Sequence, residues 1–106
     1  MAKYLFEAHY TAEGTKGLAR EGSSGRREAV TKVVESVGGK LEAFYYAFGD
    51  VDAYIILDLP DNVTAAAVSL TAHQSGFIAG KTVVLMSPDD MDKAAKKIVA
   101  FRPPGH

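Results

Sequence analysis

Six residues in three short stretches could meet to do chemistry: Glu7 and His9, Phe44 and Tyr46, and Tyr54 and Asp58. Within each pair the two residues are separated by an even number of positions in a run of alternating side chains, so each pair falls on one face of a strand. His9 supplies an imidazole able to accept or donate a proton near neutral pH, and a carboxylate beside it would hold one tautomer. Tyr46 and Tyr54 offer ring surface and hydroxyl hydrogen bonds, and Phe44 offers an apolar wall. With His9 as base the set is a catalytic site; without it, the six are the contact set of a cavity for a small apolar or aromatic molecule. The same residues also read as the polar rim of a subunit interface, where tyrosines and a few paired charges are common.

Other reactive types are sparser. His73 stands at the end of a helical stretch, where an imidazole can ligate haem iron but more often hydrogen-bonds locally or answers the helix dipole. Nothing in the spacing brings His9 and His73 together as metal ligands. Gly22-Ser-Ser-Gly-Arg-Arg27 is a glycine-rich run into a helix N-terminus, where free N–H groups can hold an anion, but it lacks the Lys-Ser/Thr pair of a phosphate loop. Arg26 and Arg27 sit at the wrong end of that helix, at a cost of about 0.3 to 1 kcal/mol each, unless Glu28 or an acidic partner answers them. Lys93, Lys96, Lys97 and Arg102 read as a solvated face.

Composition narrows the function classes. A chain of 106 residues is one small domain, and with no cysteine it has neither disulfides nor thiolate metal sites. A formal net charge of -1 gives no basic patch for nucleic acid or an acidic membrane. No apolar run approaches the ~20 residues of a membrane span, and Met1-Ala-Lys-Tyr4 leads into a strand rather than a signal peptide, so the expected location is cytoplasmic. Asn62-Val63-Thr64 is then a coincidental sequon.

The elements that must position these residues are legible from periodicity. Lys3 to Thr11 alternates and predicts a first strand, with Tyr4, Phe6, Ala8 and Tyr10 on one face and Leu5, Glu7, His9 and Thr11 on the other. Glycines at 14, 17 and 22 limit the next stretch to a short helical turn. Gly25 to Val37 predicts a helix with Val30, Val33, Val34 and Val37 as its buried stripe, capped by Ser23 or Ser24 and ended by Gly38-Gly39. Lys40 to Phe48 and Asp52 to Leu59 form a hairpin around Gly49-Asp50-Val51. Pairing with even residue sums puts Glu42, Phe44, Tyr46, Tyr54, Ile56 and Asp58 on the open face with Glu7 and His9. Asp61 caps a helix over Asn62 to Ser75 with stripe Val63, Ala66, Ala67 and Leu70. Phe77 to Met86 is the fourth strand. Ser87 caps a last helix with Met91, Ala94, Ala95 and Ile98 on its apolar side, expected to run to Ala100 and to dock on its own subunit or a neighbour.

The order β-α-β-β-α-β plus a terminal helix is the ferredoxin-like arrangement, an α+β fold whose right-handed crossovers put both main helices on one face of a four-stranded antiparallel sheet. The other face is bare, and an aromatic face left bare calls for a second copy, giving a homodimer or higher assembly. Tyr4-Leu-Phe6, Tyr10-Thr11, Arg27-Glu-Ala-Val30, Gly38-Gly-Lys-Leu-Glu42, Phe48-Gly-Asp-Val-Asp52 and Asp58-Leu-Pro-Asp61 resemble the GYD domain family, within the dimeric α+β barrel superfamily. The eponymous Gly-Tyr-Asp appears here with valine in place of the ring, in Gly49-Asp50-Val51-Asp52. The resemblance implies the fold and face-to-face dimerisation, and no reaction. The wider superfamily includes monooxygenases, isomerases, haem proteins and ligand-binding regulators, so it leaves open a binding or accessory module, a monooxygenase- or isomerase-like enzyme using His9 without a cofactor, a haem protein using His73, and a structural oligomer.

Overall fold

Alternation becomes strand where it is strongest. In the computed structural model, which describes residues 1–106, the strands are β1 (Ala2–Tyr10), β2 (Lys40–Tyr46), β3 (Ala53–Leu59) and β4 (Ile78–Leu85). They form one antiparallel sheet in the order β2-β3-β1-β4. Helices α1 (Ala12–Glu21) and α2 (Ser23–Ser36) join β1 to β2, α3 (Asn62–Gln74) joins β3 to β4, and α4 (Pro88–Ala95) follows. This is the expected α+β, ferredoxin-like βαββαβ chain with a C-terminal helix.

One sheet face carries the core. Tyr4, Ala8, Ala53, Ile55, Leu57 and Leu59 are buried in a single cluster with Val34 of α2 and Ala65 of α3. Directly opposed residues of an antiparallel pair share a face, and Tyr4 opposes Leu57, Phe6 opposes Ile55 and Ala8 opposes Ala53. The other face presents Leu5, Glu7 and His9 with Tyr54, Ile56 and Asp58, and no helix of the chain covers it.

The hairpin register differs from the expected one. Phe44 opposes Ile55 and Tyr46 opposes Ala53, an odd sum, while Leu41 opposes Leu57, with a register shift between Leu41 and Ala43. The extra residue is Glu42. At such a bulge two neighbours oppose one residue, and every side chain beyond it changes face. Phe44 and Tyr46 therefore join the helix side, their rings 5.0 Å apart and tilted by 51°, and Tyr45 takes their place on the open face. Glu42 itself stays on the open side, where Lys3 meets it at 3.1 Å and Asp58 at 2.8 Å. The carboxylate argument for an even sum was satisfied by the bulge instead.

Tertiary contact also overrides propensity in α1. Thr11 caps it by accepting from the Gly14 N–H, and Gly14 is its one buried residue. A Cβ on Gly14 would stand 2.0 Å from the Phe77 carbonyl oxygen, so glycine is there for close approach to the β4 entry and not to break a helix. A full ten-residue helix results. Gly22, at φ 88, ends α1 and begins α2, and neither Ser23 nor Ser24 caps α2 with its side chain.

Helix α3 is rotated from its expected stripe. Asp61 caps it as foreseen, accepting from Thr64, but Ala65 is the buried residue, while Val63 is 79% and Leu70 63% exposed. The Tyr4 hydroxyl donates to Asn62 at 2.6 Å, fixing the rotation, and small residues facing the sheet let the helix come close. Helix α4 starts at the expected cap, with the Asp90 N–H donating to Ser87, and ends at Ala95 rather than Ala100. It does not dock on its own subunit: every residue from Met86 to His106 is exposed, Met91 and Ile98 included.

Candidate functional site

The six residues expected to meet are divided by the sheet. Glu7, His9, Tyr54 and Asp58 share the open face, with Glu7 opposite Tyr54 on one side and Lys81 on the other. Asp58 is engaged by Lys3, whose ammonium is held above the usual lysine range by hydrogen bonds from it to Asp58 and then to Glu42. His9 is half-buried opposite Ala79. Phe44 and Tyr46 lie on the far side.

It is that far side which holds a cavity. Between the sheet and helices α2 and α3 lies about 250 Å³ of space, bounded by fifteen residues of which twelve are hydrophobic, among them Phe6, Ile55, Val30 and Ala72. Tyr10 and Arg26 line it and also line a second, more polar cleft of about 240 Å³ under α1. Arg26 thus stands where an apolar chamber meets a polar one.

Local structure explains how these two side chains are held. The Asp52 carboxylate accepts from the Tyr10 N–H at 2.9 Å, and the Asp52 N–H donates to the Ala8 carbonyl at 2.9 Å, so the hairpin loop clasps the end of β1. The Tyr46 hydroxyl donates to the Ser23 carbonyl at 3.3 Å, at the start of α2. Arg26 Nη1 is 3.6 Å from a Glu21 carboxylate oxygen, so its acidic neighbour is Glu21 on α1 and not the expected Glu28. Its Nε is buried with no hydrogen-bond partner, and an unpaired buried donor of this kind costs on the order of 1 to 3 kcal/mol.

Burial, reinforced by the neighbouring Tyr46, pushes the Tyr10 phenol up to about 12, against a smaller opposing pull from Arg26. Burial also raises Tyr46, and Arg26 again opposes. A phenol raised in the folded state favours the protonated form there, so its contribution is complete below the ordinary value near 10 and is lost as pH rises towards 12. Tyr10→Phe is therefore expected to flatten the loss of stability between pH 10 and 12, by at most about 1.4 kcal/mol per pH unit. Urea unfolding at pH 9 and pH 11 checks this: equal losses in both proteins would contradict it.

His73 is engaged at both nitrogens. Its Nδ1 is 2.7 Å from the Ser69 carbonyl oxygen and its Nε2 accepts from the Gly80 N–H at 3.1 Å, which requires the proton on Nδ1 and ties α3 to β4. Ligating haem iron through Nε2 would break the second bond. No group of three or more His, Asp or Glu side chains is placed to hold a metal ion, and no helix is long and apolar enough to cross a membrane.

The sequence model of the GYD domain family matches residues 4–95. The chain belongs to the GYD domain family. Neither curated proteins nor solved structures return a match. In this GYD domain the family-like Phe48-Gly-Asp-Val-Asp52 run has a visible task, since its last residue, Asp52, fixes the backbone of Tyr10 at the cavity. The sequence reading missed Tyr10 and Arg26 as a pair. The available signal was Arg26 itself, a cation at the unfavourable end of α2.

Proposed function

We propose that this GYD domain is a small-molecule-binding module that works as a homodimer, with its ligand held between the sheet and helices α2 and α3. The observation that carries the reading is the apolar cleft of about 250 Å³ between the sheet and these helices, with Arg26, whose Nε is buried without a hydrogen-bond partner, in its wall. Val33 and Phe77 of its wall are 44% and 51% exposed, and apolar surface left to water in such a cleft lacks the contacts that a close-packed interior would make. A bound molecule restores those contacts.

Native mass spectrometry of the purified protein, followed by a thermal-shift screen of small apolar and aromatic molecules, tests this. Ala72, a small residue of the cavity wall, is the place to block it. Ala72→Phe is expected to abolish binding while the fold persists; binding by neither protein, or equal binding by both, would refute the site.

Dimerisation is supported by what the chain leaves uncovered. Leu5, Tyr45, Tyr54, Ile56 and Val83 lie on the open sheet face, with Tyr45 69% exposed, and burying one such side chain contributes about 1.5 to 3 kcal/mol. In that arrangement Glu7, His9, Tyr54 and Asp58 face the partner sheet. The C-terminal arm adds Met91, Ile98, Val99 and Phe101, all exposed, as a second apolar surface for the partner. Ending the chain at Met86 should leave the secondary structure of the remaining residues intact and weaken the proposed dimer about tenfold or more. An unchanged dissociation constant by sedimentation would show that the arm takes no part.

A further inference from the structure

Resting on the cavity reading, we infer that the ligand is an apolar monocarboxylic acid of about eight to twelve non-hydrogen atoms, its hydrocarbon in the chamber and its carboxylate on Arg26 beside the Tyr10 hydroxyl. The size follows from volume: 250 Å³ is roughly eight water volumes.

The polarity follows from an inventory of the wall. Of the fifteen lining residues the three that are not hydrophobic are Arg26, Thr71 and Ser75. Thr71 already donates to the Ala67 carbonyl at 2.9 Å and Ser75 to the Ala72 carbonyl at 2.6 Å. Both hydroxyl protons are thus spent on backbone carbonyls of α3, and Ser75 Oγ also accepts from the Phe77 N–H at 3.1 Å. What remains for a ligand is Arg26, at the end that Tyr10 also lines, so an occupant has one polar end and is otherwise apolar.

The sign of that end follows from Arg26. Its contact with Glu21, at 3.6 Å to Nη1, lies beyond good hydrogen-bond length and leaves the buried Nε unpaired. A guanidinium presents its donors as a planar fork that matches a carboxylate in two parallel bonds. No second cation lines the chamber, so one negative charge is matched and a dianionic phosphate is not. The Tyr10 phenol, already paired with the Tyr46 hydroxyl, is neutral at that end and sets no charge against the ligand's.

The experiment compares acids with their alcohols on the full chain by calorimetry near neutral pH: octanoate against octanol, and hydrocinnamate against hydrocinnamyl alcohol. The acids are expected to bind about tenfold or more tighter than the matching alcohols. Arg26→Gln should bring the acid-to-alcohol ratio to about one, with thermal unfolding verifying that the variant folds. If it does not fold, the acid-to-alcohol ratio in the unaltered chain decides alone. Equal binding of acids and alcohols, blocked by Ala72→Phe, would overturn the carboxylate assignment and keep the cavity. No binding by any of the four probes would overturn both.

Discussion

Replacing Ile56 by aspartate is expected to turn the proposed dimer into a folded monomer. Ile56 sits in the middle of β3, opposite Leu5 on β1 and Ala43 on β2, on the face that no helix covers. If a second sheet lies against that face, the new carboxylate is withdrawn from water without a partner, a cost of several kcal/mol that appears on both sides of a two-fold seam. In an isolated chain the same carboxylate points into solvent, and the loss is limited to a fraction of strand propensity and local contact, about 1 kcal/mol. Sedimentation velocity separates the two: the unaltered protein should run as a dimer at micromolar concentration and Ile56→Asp as a monomer with the same circular dichroism. A monomeric unaltered protein would end the proposal of assembly. Phe44→Asp would be the wrong probe, because Phe44 opposes Ile55 on the helix side and its charge would strike the core.

The second large effect is expected at Gly14. Adding one methyl group there places a carbon 2.0 Å from the Phe77 carbonyl oxygen and 3.0 Å from its carbonyl carbon, and backbone atoms cannot rotate away as a flexible side chain would. The surrounding bonds are dense: Thr11 N–H donates to Phe77 O at 3.0 Å, and Thr11 Oγ1 donates to Gly76 O at 2.9 Å while accepting from Gly14 N–H at 3.2 Å. To admit the methyl, α1 must lift from the β4 entry, disturbing that cap. Overpacking of this kind costs about 1 to 3 kcal/mol and sometimes more, so Gly14→Ala should lower the denaturation midpoint clearly. Gly17→Ala is the control, since nothing lies within 4 Å of a Cβ there and alanine favours helix. Equal midpoints for the two variants would show that α1 is not held against Phe77.

Element types were legible because most segments carry one unambiguous period. Tyr4, Phe6, Ala8 and Tyr10 alternate without interruption, and β1 is where they are. Caps were legible as well: Asp61 and Ser87 are chemical signals that need no tertiary context. What failed was phase. Period-two reasoning assumes an unbroken ladder, and one bulged residue at Glu42 moved Phe44 and Tyr46 to the other face. In α3 two apolar stripes compete, and a single strand-to-helix contact, the Tyr4 to Asn62 hydrogen bond, decides between them. The chamber was illegible for a related reason. It is built from residues on β1, β3, α2, α3 and the β4 entry, and space left between packed elements has no signature in any one of them.

The arm has a consequence of its own. An eight-residue helix is too short to be stable in water by itself, because nucleation is costly and few hydrogen bonds follow; a serine cap offsets only about 1 kcal/mol of that. Helix α4 buries nothing in its own chain, so in the proposed dimer its helicity would be drawn from association. Folding of the last twenty residues would then be a second-order process, dependent on protein concentration, while the rest of the domain folds as a first-order one. A single chain would carry two kinds of order, one intrinsic to the sequence and one conferred by meeting its copy.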